Sequence, residues 1–463
     1  MSSIEKSHPM YFTSLEIENI KCFGRKQILD LRDSTGAISP WTLILGDNGV
    51  GKTTLLKCLA WMIPVEESDE VIRQQANIPK DMIAIKPFMD GFETNSEYEK
   101  LIRIGKENAS RIGATLSNSV QLRNIPSKGQ LISHAIIIHN KDGKLEEINL
   151  EHGVLKDFNS PNLFAYSASR HVAYKNYDKS ELKDPTSNLF SDSGDLYDAE
   201  QLLTILDNAS LRQNRIGKAT ELLVKVKQIL VDLLPYLNDP DSIIINSPLN
   251  DDGSTNDILV EIQTPDGKVP LFNLSLGYIT MLAWTVDLAL RMLWRNPESE
   301  NPLQEPAVVI VDEIDLHLHP KWQRMIRKNL TTHFPNTQFI CTAHSPFMAQ
   351  SSELENLCVI NRLNEDVIIE NEPSVVKGWR IGQIITSDLF GITSERSPEI
   401  ENLVNRRRVI LDKNNRSQED EIELKQINDE LSKLPITDNE EDQTLLDKIR
   451  EAAELLKKEG KIK

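Results

Sequence analysis

Apolar residues recur along this chain with two periods, and the switches between them mark out its elements. Leu15, Ile17 and Asn19 alternate with acidic residues in LEIENIKCF, residues 15–23, which is the two-residue period of a half-buried strand. A second apolar run, WTLIL at 41–45, enters GDNGVGKTT directly. TTLLKCLAWMI then carries helical spacing until Pro64, whose missing N–H and ring end the ladder. From 65 to 161 the chain turns polar and irregular and reads as insertions on the core. That stretch predicts a helix at 96–108 and a hairpin at HAIIIHNKDGKLEEI turned at Asp142-Gly143. An apolar strand at 162–166 leads into SASRH. After a polar stretch at 174–198, Leu202, Leu203, Ile205, Leu206, Leu222, Leu223, Val226, Ile229, Leu230 and Leu233 recur at steps of three and four, predicting a short helical arm ended by Pro235.

Strands are expected at 243–245, at 258–263 and, after the TPDG turn, at 269–272. Residues 278–294 make an apolar helix that contains Asp287 and Arg291 and falls short of a bilayer span, so it is expected to be buried. AVVIV (307–311) and QFICTA (338–343) are continuous apolar runs of the kind found in central parallel strands covered on both faces. The end of the chain changes character, because residues 412–463 hold no aromatic side chain, 15 acidic and 10 basic ones. There Ser417-x-x-Asp420 and Thr437-x-x-Glu440 read as capping boxes, each opening a helix with a thin apolar stripe: Leu424, Ile427, Leu431, Leu434, and Leu445, Ile449, Ala452, Leu456. The resulting organisation is an α/β head over 1–395, with insertions at about 65–161 and 174–240, and a C-terminal helical region over 396–463.

Composition narrows the chemistry. With 52 Lys+Arg against 70 Asp+Glu the formal charge of the 463 residues is −18, which disfavours indiscriminate coating of nucleic acid. Cys22, Cys58, Cys341 and Cys358 are too far apart for a metal knuckle or a dense disulfide framework and suit a reducing compartment. The start, MSSIEKSHPM, has neither a secretory nor a mitochondrial pattern, so a cytoplasmic protein with no membrane contact is expected.

Four short segments carry candidate chemistry. Gly46 to Thr53 matches GxxxxGK[ST] between a strand and a helix. In that setting Gly49 and Gly51 let backbone N–H groups converge on phosphates, Lys52 reaches the outer oxygens, and the Thr53 hydroxyl holds Mg²⁺. VVIVDEID ends an apolar strand in carboxylates, putting Asp312 where it can bind Mg²⁺ through water and Glu313 where it can polarise an attacking water. NLSLGY places Ser275 and Gly277 at the start of the 278–294 helix, a second phosphate-binding cap. TAHS puts His344 at the end of a core strand, within reach of a γ-phosphate. His317 and His319 in DLHLHP lack a third ligand and read as loop residues.

Taken in order, GDNGVGKTT, LSLGY, VVIVDEIDLHLHP and TAHS resemble the ABC-type ATPases of the RecF, SMC and OLD branch, often called AAA-family ATPases, over roughly residues 11–395. The resemblance implies an ABC-ATPase head, that is, a P-loop NTPase with a mixed central sheet, helical insertions and a C-terminal helical tail. It implies ATP as ligand, cradled by Asn48, Gly49, Gly51, Lys52, Thr53 and Thr54, and Mg²⁺ held at Thr53 and Asp312. Glu313 would be the catalytic base and His344 the switch histidine. Ser275 and Gly277 would complete the site of a second protomer, with Asp315 in the loop between the two. The signature departs from that of transporters at Leu276 and Tyr278. Tyr166, Ser169 and Arg170 stand where the branch has a YxxxR-like segment, to which no role is assigned.

WRIGQIITSDLFGITSERSPEIENLVNRR further resembles the region after the switch histidine in the PtuA-like ATPases of Septu and retron-associated antiphage defence systems. Residues 345–463 contain neither a TOPRIM-like nor an HNH-like cluster. The implied protein is therefore a regulatory ATPase that forms a homodimer or higher oligomer through its heads and controls a separate HNH nuclease subunit, PtuB-like, with DNA contacted through the complex. Two other readings share these motifs: a repair or chromosome-maintenance ATPase that clamps DNA, and a slow-hydrolysing nucleotide-sensing scaffold. Arg406, Arg407 and Arg408 form the densest basic run, which on a helix spreads over different faces and reads as solvated.

Overall fold

A computed structural model describes residues 9–75, 79, 82–87, 101, 109–118, 131–141, 144–155, 160–170, 185–190, 196, 198–212, 214–233, 237, 239–247, 249, 252–254, 256, 259–265, 267–352, 356–371, 378–392, 394–413 and 415–434. The chain divides into two compact units, Met1–Phe390 and Gly391–Lys463.

The strands run in chain order as β1 (Met10–Glu18), β2 (Gln27–Asp30), β3 (Trp41–Gly46), β4 (Pro64–Glu66), β5 (Ile83–Pro87), β6 (Ser110–Asn118), β7 (Leu131–Lys141), β8 (Lys144–Glu151), β9 (Gly153–Leu155), β10 (Asn162–Tyr166), β11 (Ile243–Ile245), β12 (Val260–Thr264), β13 (Gly267–Pro270), β14 (Ala307–Val311), β15 (Thr337–Ala343), β16 (Asn356–Leu363) and β17 (Asp366–Glu370). The helices used below are α1 (Lys52–Trp61), α2 (Ala199–Arg212), α3 (Lys218–Leu233), α4 (Leu276–Arg295), α5 (Pro398–Leu411) and α6 (Gln418–Leu431).

The central sheet has the order β10-β14-β15-β3-β16-β17, parallel throughout except for the antiparallel β16–β17 edge. Its strands read as unbroken apolar runs because both faces are covered. Leu43, Leu45, Val309, Val311, Phe339 and Cys341 face one core with α2, α3 and α4, while Ile44, Val308, Ile310 and Ile340 face the other with α1 and β1. The period-two alternation is therefore present, hidden by burial on both sides.

A second sheet, β2-β1-β6-β7-β8, is antiparallel and covers the face bearing α1. This alters the expected picture. Much of the described part of 65–161 is strand: besides the expected β7–β8 hairpin it holds β6, which joins this sheet, and β5 and β9, which form a smaller one with β4. Strand β1 also starts earlier than expected and ends at Glu18, since Asn19 and Lys21 take left-handed φ values of 53° and 45°. The β7–β8 hairpin has the expected strands; its Asp142-Gly143 turn and the helix expected at 96–108 lie outside the described residues.

The helical arm is corrected too. The pattern over 199–233 breaks into α2 and α3 where Asn214 and Arg215 take positive φ, and both helices bury Leu202, Leu206, Val226 and Leu230 against α4 instead of projecting. Helix α4 is long and apolar enough to cross a membrane, but 72% of that span is buried inside this unit. The segment expected as strand at 269–272 ends at Pro270 and turns into a 3-10 helix, Leu271–Asn273.

The second unit holds α5 and α6. Ser417 and Asp420 form the reciprocal capping box expected from the sequence, with Asp420 N–H to Ser417 Oγ at 3.1 Å and Ser417 N–H to Asp420 Oδ2 at 3.0 Å. The stripe of Leu424, Ile427 and Leu431 closes on Ile410 and Leu403 of α5. The Thr437 box and its helix lie outside the described residues.

Candidate functional site

The phosphate loop joins β3 to α1, and glycine is required where it turns. Gly51 has φ +99°, and a Cβ there would lie 2.6 Å from Cys22 Sγ and 2.8 Å from the Phe23 ring, so a side chain is excluded by conformation and by space. Lys52 is buried and donates from Nζ to the Gly46 and Asp47 carbonyls, both at 2.8 Å. Burial pushes its pKa down, opposed by the carboxylates of Asp312, Glu313, Asp47 and Asp315. Asn48 and Gly49 lie in the exposed part of the loop, and Thr54 is buried one residue past Thr53 in α1.

Strand β14 delivers the carboxylates. The Thr53 hydroxyl donates to Asp312 Oδ2 at 2.6 Å, and the Thr342 hydroxyl donates to Asp312 Oδ1 at 2.5 Å, so both oxygens of a carboxylate 3% exposed are engaged. The same Thr342 oxygen accepts the Glu313 N–H at 2.7 Å. Glu313 itself has φ +48°, in the left-handed region. Its Oε1 stands 3.8 Å from His344 Nε2, a ring nitrogen with no hydrogen-bond partner among the described residues.

Asp315 is nearly buried, and its Oδ2 accepts the N–H groups of His344 at 3.0 Å and Ser345 at 2.8 Å, which ties the loop after β14 to the end of β15. Gln323 braces this junction, donating to the Asp315 and Leu318 carbonyls and accepting from Ser345 Oγ at 2.6 Å. Lys52, Thr53, Asp312, Glu313, Asp315 and His344 thus converge through two strand ends and one helix start.

Ser275 and Gly277 make their contacts elsewhere. Ser275 is the N-cap of α4 with no side-chain capping bond, and Gly277 is buried against the His317 carbonyl. Beside them the Tyr278 ring meets Trp322 edge-on at 4.4 Å. In the second unit, Arg406 pairs with Glu423 at 2.7 Å and Arg407 donates to Asn428 at 2.6 Å, so two of the three consecutive arginines are engaged by α6.

Three participants had no assigned role in the motif reading. Thr342 stands inside TAHS, Gln323 lies outside any motif, and Arg170 follows strand β10. Arg170 donates to the carbonyls of Asp312 and Glu313, both at 2.9 Å, while the Tyr166 hydroxyl donates to the buried Asp287 of α4 at 2.8 Å. The useful signal was position: a cation four residues beyond a core tyrosine, at the carboxyl edge of a parallel sheet.

A family model described as "AAA domain, putative AbiEii toxin, Type IV TA system" matches residues 42–348. The chain belongs to this AAA family. The match opens in β3 and closes just beyond His344, so it encloses all six converging residues. Among curated relatives of this AAA-family chain, the Retron Vc95 probable ATPase of Vibrio cholerae serotype O1 biovar El Tor is 25% identical over 405 residues, covering 76% of this chain and 74% of that one. The Septu protein PtuA of Bacillus mycoides (strain KBAB4) is 26% identical over 427 residues, 91% of this chain and 50% of that protein, so the chain spans half the length of that relative. Among solved structures, the SmcHead bound to the C-winged helix domain of ScpA covers 79% of this chain and 98% of its own at 14% identity, with a TM-score of 0.41.

Proposed function

We propose that this chain is an ATP-binding and ATP-hydrolysing regulatory subunit of a cytoplasmic antiphage defence complex, that it oligomerises through composite ATP sites, and that it controls a separate HNH nuclease. The observation that carries the ATPase part is the 2.6 Å contact between Thr53 of the phosphate loop and Asp312 at the end of β14, with Glu313 and His344 beside it. The likeness to a retron ATPase and to a Septu PtuA supports the defence setting.

Two hard oxygen donors side by side, one hydroxyl and one carboxylate, suit Mg²⁺, so Thr53 and Asp312 would hold that ion, which would supply charge neutralisation on the phosphates. The chain's own groups do the rest. Lys52 and the loop N–H groups, including those at the positive end of α1, bind and orient the triphosphate. The Glu313 carboxylate accepts a proton from the attacking water, and His344 Nε2, 3.8 Å from Glu313 Oε1 and with no hydrogen-bond partner among the described residues, donates a hydrogen bond to the γ-phosphate oxygen. Ser275 and Gly277 serve a second copy's nucleotide, and Asp315 couples that seat to His344 through the backbone.

The test is phosphate release and oligomeric state for wild type, Lys52→Ala and Glu313→Gln, with light scattering in the presence and absence of ATP. Lys52→Ala abolishes ATP binding, while Glu313→Gln binds ATP, stops hydrolysis and traps the larger oligomer. Wild-type turnover by Glu313→Gln sinks the catalytic assignment. A scattering mass that ignores ATP in all three sinks the composite sites.

A further inference from the structure

Arg170 is the most deeply committed cation at the site. It is 5% exposed, and its two terminal nitrogens reach main-chain carbonyls, those of Asp312 and Glu313, instead of a carboxylate. Its Nε has no partner among the described residues. Burial lowers its pKa to about 10, against the pull of Asp312, Cys341, Asp315 and Glu313, which leaves it charged at neutral pH. Keeping a guanidinium in such a place is costly unless its planar fork does something that a smaller polar group cannot.

The residue it grips is the one in an unfavourable conformation. Glu313 has φ +48°, a region disfavoured by roughly 1–2 kcal/mol for a residue with a Cβ. Such strain persists only where the surroundings over-determine the backbone. Here the Glu313 N–H is held by Thr342 Oγ1, its carbonyl by Arg170 and by the Leu316 N–H at 3.0 Å, the preceding carbonyl by Arg170, and the following N–H by the Thr342 carbonyl at 3.0 Å. Arg170 alone spans two consecutive peptide units.

We propose that Arg170 is a positioning residue for hydrolysis: its two N–H bonds, one from each terminal nitrogen, hold Glu313 in the left-handed conformation that sets the Glu313 carboxylate beside His344. This deepens the ATPase reading above and rests on it. A lysine keeps the charge but carries its three donors on one nitrogen, so it cannot offer the two separately placed N–H groups, one on each terminal nitrogen, with which Arg170 meets the two carbonyls. Charge alone therefore does not restore the function, and a free guanidinium ion does.

The experiment uses the full chain with Arg170→Lys and Arg170→Ala. It measures ATP affinity, the single-turnover rate with and without millimolar guanidinium chloride against a sodium chloride control, and amide exchange over residues 308–316. The expected result is a rate about 100-fold lower in both variants, with ATP affinity within about threefold of wild type. Added guanidinium raises the Arg170→Ala rate at least about tenfold, and the Glu313 and Ile314 amides of Arg170→Lys exchange faster. If Arg170→Ala does not fold, Arg170→Lys decides alone: a wild-type rate with unchanged exchange overturns the proposal. Equal losses of affinity and rate, or an Arg170→Ala deaf to guanidinium, show general support of the fold and also overturn it. Were the wild type to bind ATP without turning it over, the ATPase reading would fall while the exchange comparison still tested the grip on Glu313.

Discussion

Gly277→Ala tests how the start of α4 is seated against the loop that follows the carboxylates. A Cβ at this position would lie 2.3 Å from the His317 carbonyl oxygen and 3.2 Å from its carbon, where real Cβ contacts stay beyond 3.0 Å. The gap must open by roughly 0.7 Å, and a close-packed interior has no slack of that size. Gly277 is not in the left-handed region, so alanine suffers no backbone penalty and gains about 1 kcal/mol of helix propensity. Against that gain stands an overpacking cost of about 1–3 kcal/mol, raised toward its upper end because the neighbour is backbone. The His317 carbonyl cannot simply swing away. His317 already has φ +64°, and its loop is tied by Leu316 N–H to the Glu313 carbonyl at 3.0 Å, by Leu318 N–H to the Asp315 carbonyl at 3.1 Å and by Gln323. A displaced loop carries Asp315 with it, and Asp315 holds the backbone of His344. The expected outcome is a net loss of about 1–2 kcal/mol in urea unfolding and a turnover at least about tenfold lower. Gly113→Ala is the matched control, since its Cβ would meet Ala135 Cβ at an ordinary 3.6 Å. A Gly277→Ala protein as stable as wild type refutes the close approach.

Thr342→Val keeps the shape of the side chain but strips the hydroxyl that serves both Asp312 Oδ1 and the Glu313 N–H, so a loss of about 2–4 kcal/mol is expected in urea unfolding, with Thr342→Ser close to wild type; equal stability of the valine variant counts against the bridge. His134 offers a pH test: its Nε2 contacts the Met62 carbonyl at 2.9 Å, and burial lowers its pKa from 6.5 to about 4. Between those values the unfolded chain binds more protons than the folded one, so this contribution is present above pH 6.5, falls with pH, and is gone below about 4, a total of about 3 kcal/mol. His134→Gln should flatten that part of the pH–stability curve, and an undiminished slope would falsify the assignment.

What the sequence reveals depends on whether one segment suffices to specify a feature. The phosphate loop, the two carboxylates and the strand before His344 are each written in contiguous residues, and their strands were readable from AVVIV and QFICTA because burial on both faces leaves an unbroken apolar run. The antiparallel layer was misread for the converse reason. The β7–β8 hairpin was legible, but β6, SRIGATLSN, mixes Ser, Gly and Thr among its apolar residues and looks like loop until its partner β1, about a hundred residues away, is known. The α2–α3 pair shows a similar limit: periodicity gives the apolar face of a helix but not what covers it, and here α4 does. Arg170 was singled out by its place in a YxxxR-like segment but given no role, because its partners are main-chain carbonyls, which side-chain patterns do not reveal.

The misread layer bears on the site itself. The chain leaves β1 through Asn19 and Lys21, both at positive φ, and that sharp exit brings Cys22 and Phe23 beneath the phosphate loop. Cys22 Sγ donates to the Val50 carbonyl at 3.4 Å, while Gly51 is left no room for a Cβ by the same two side chains. On the other side, Val367 N–H binds the Cys22 carbonyl at 3.2 Å and Gln27 Oε1 accepts the Ile369 N–H at 3.1 Å, so the edge strand β17 of the parallel sheet fixes this exit in turn. The family match begins at residue 42, yet the shape of its phosphate loop is set partly by residues 19–23. A loop whose glycine is enforced by side chains from the turn that leaves another sheet cannot be treated as a self-sufficient motif. Its geometry is a property of how the two layers close on each other.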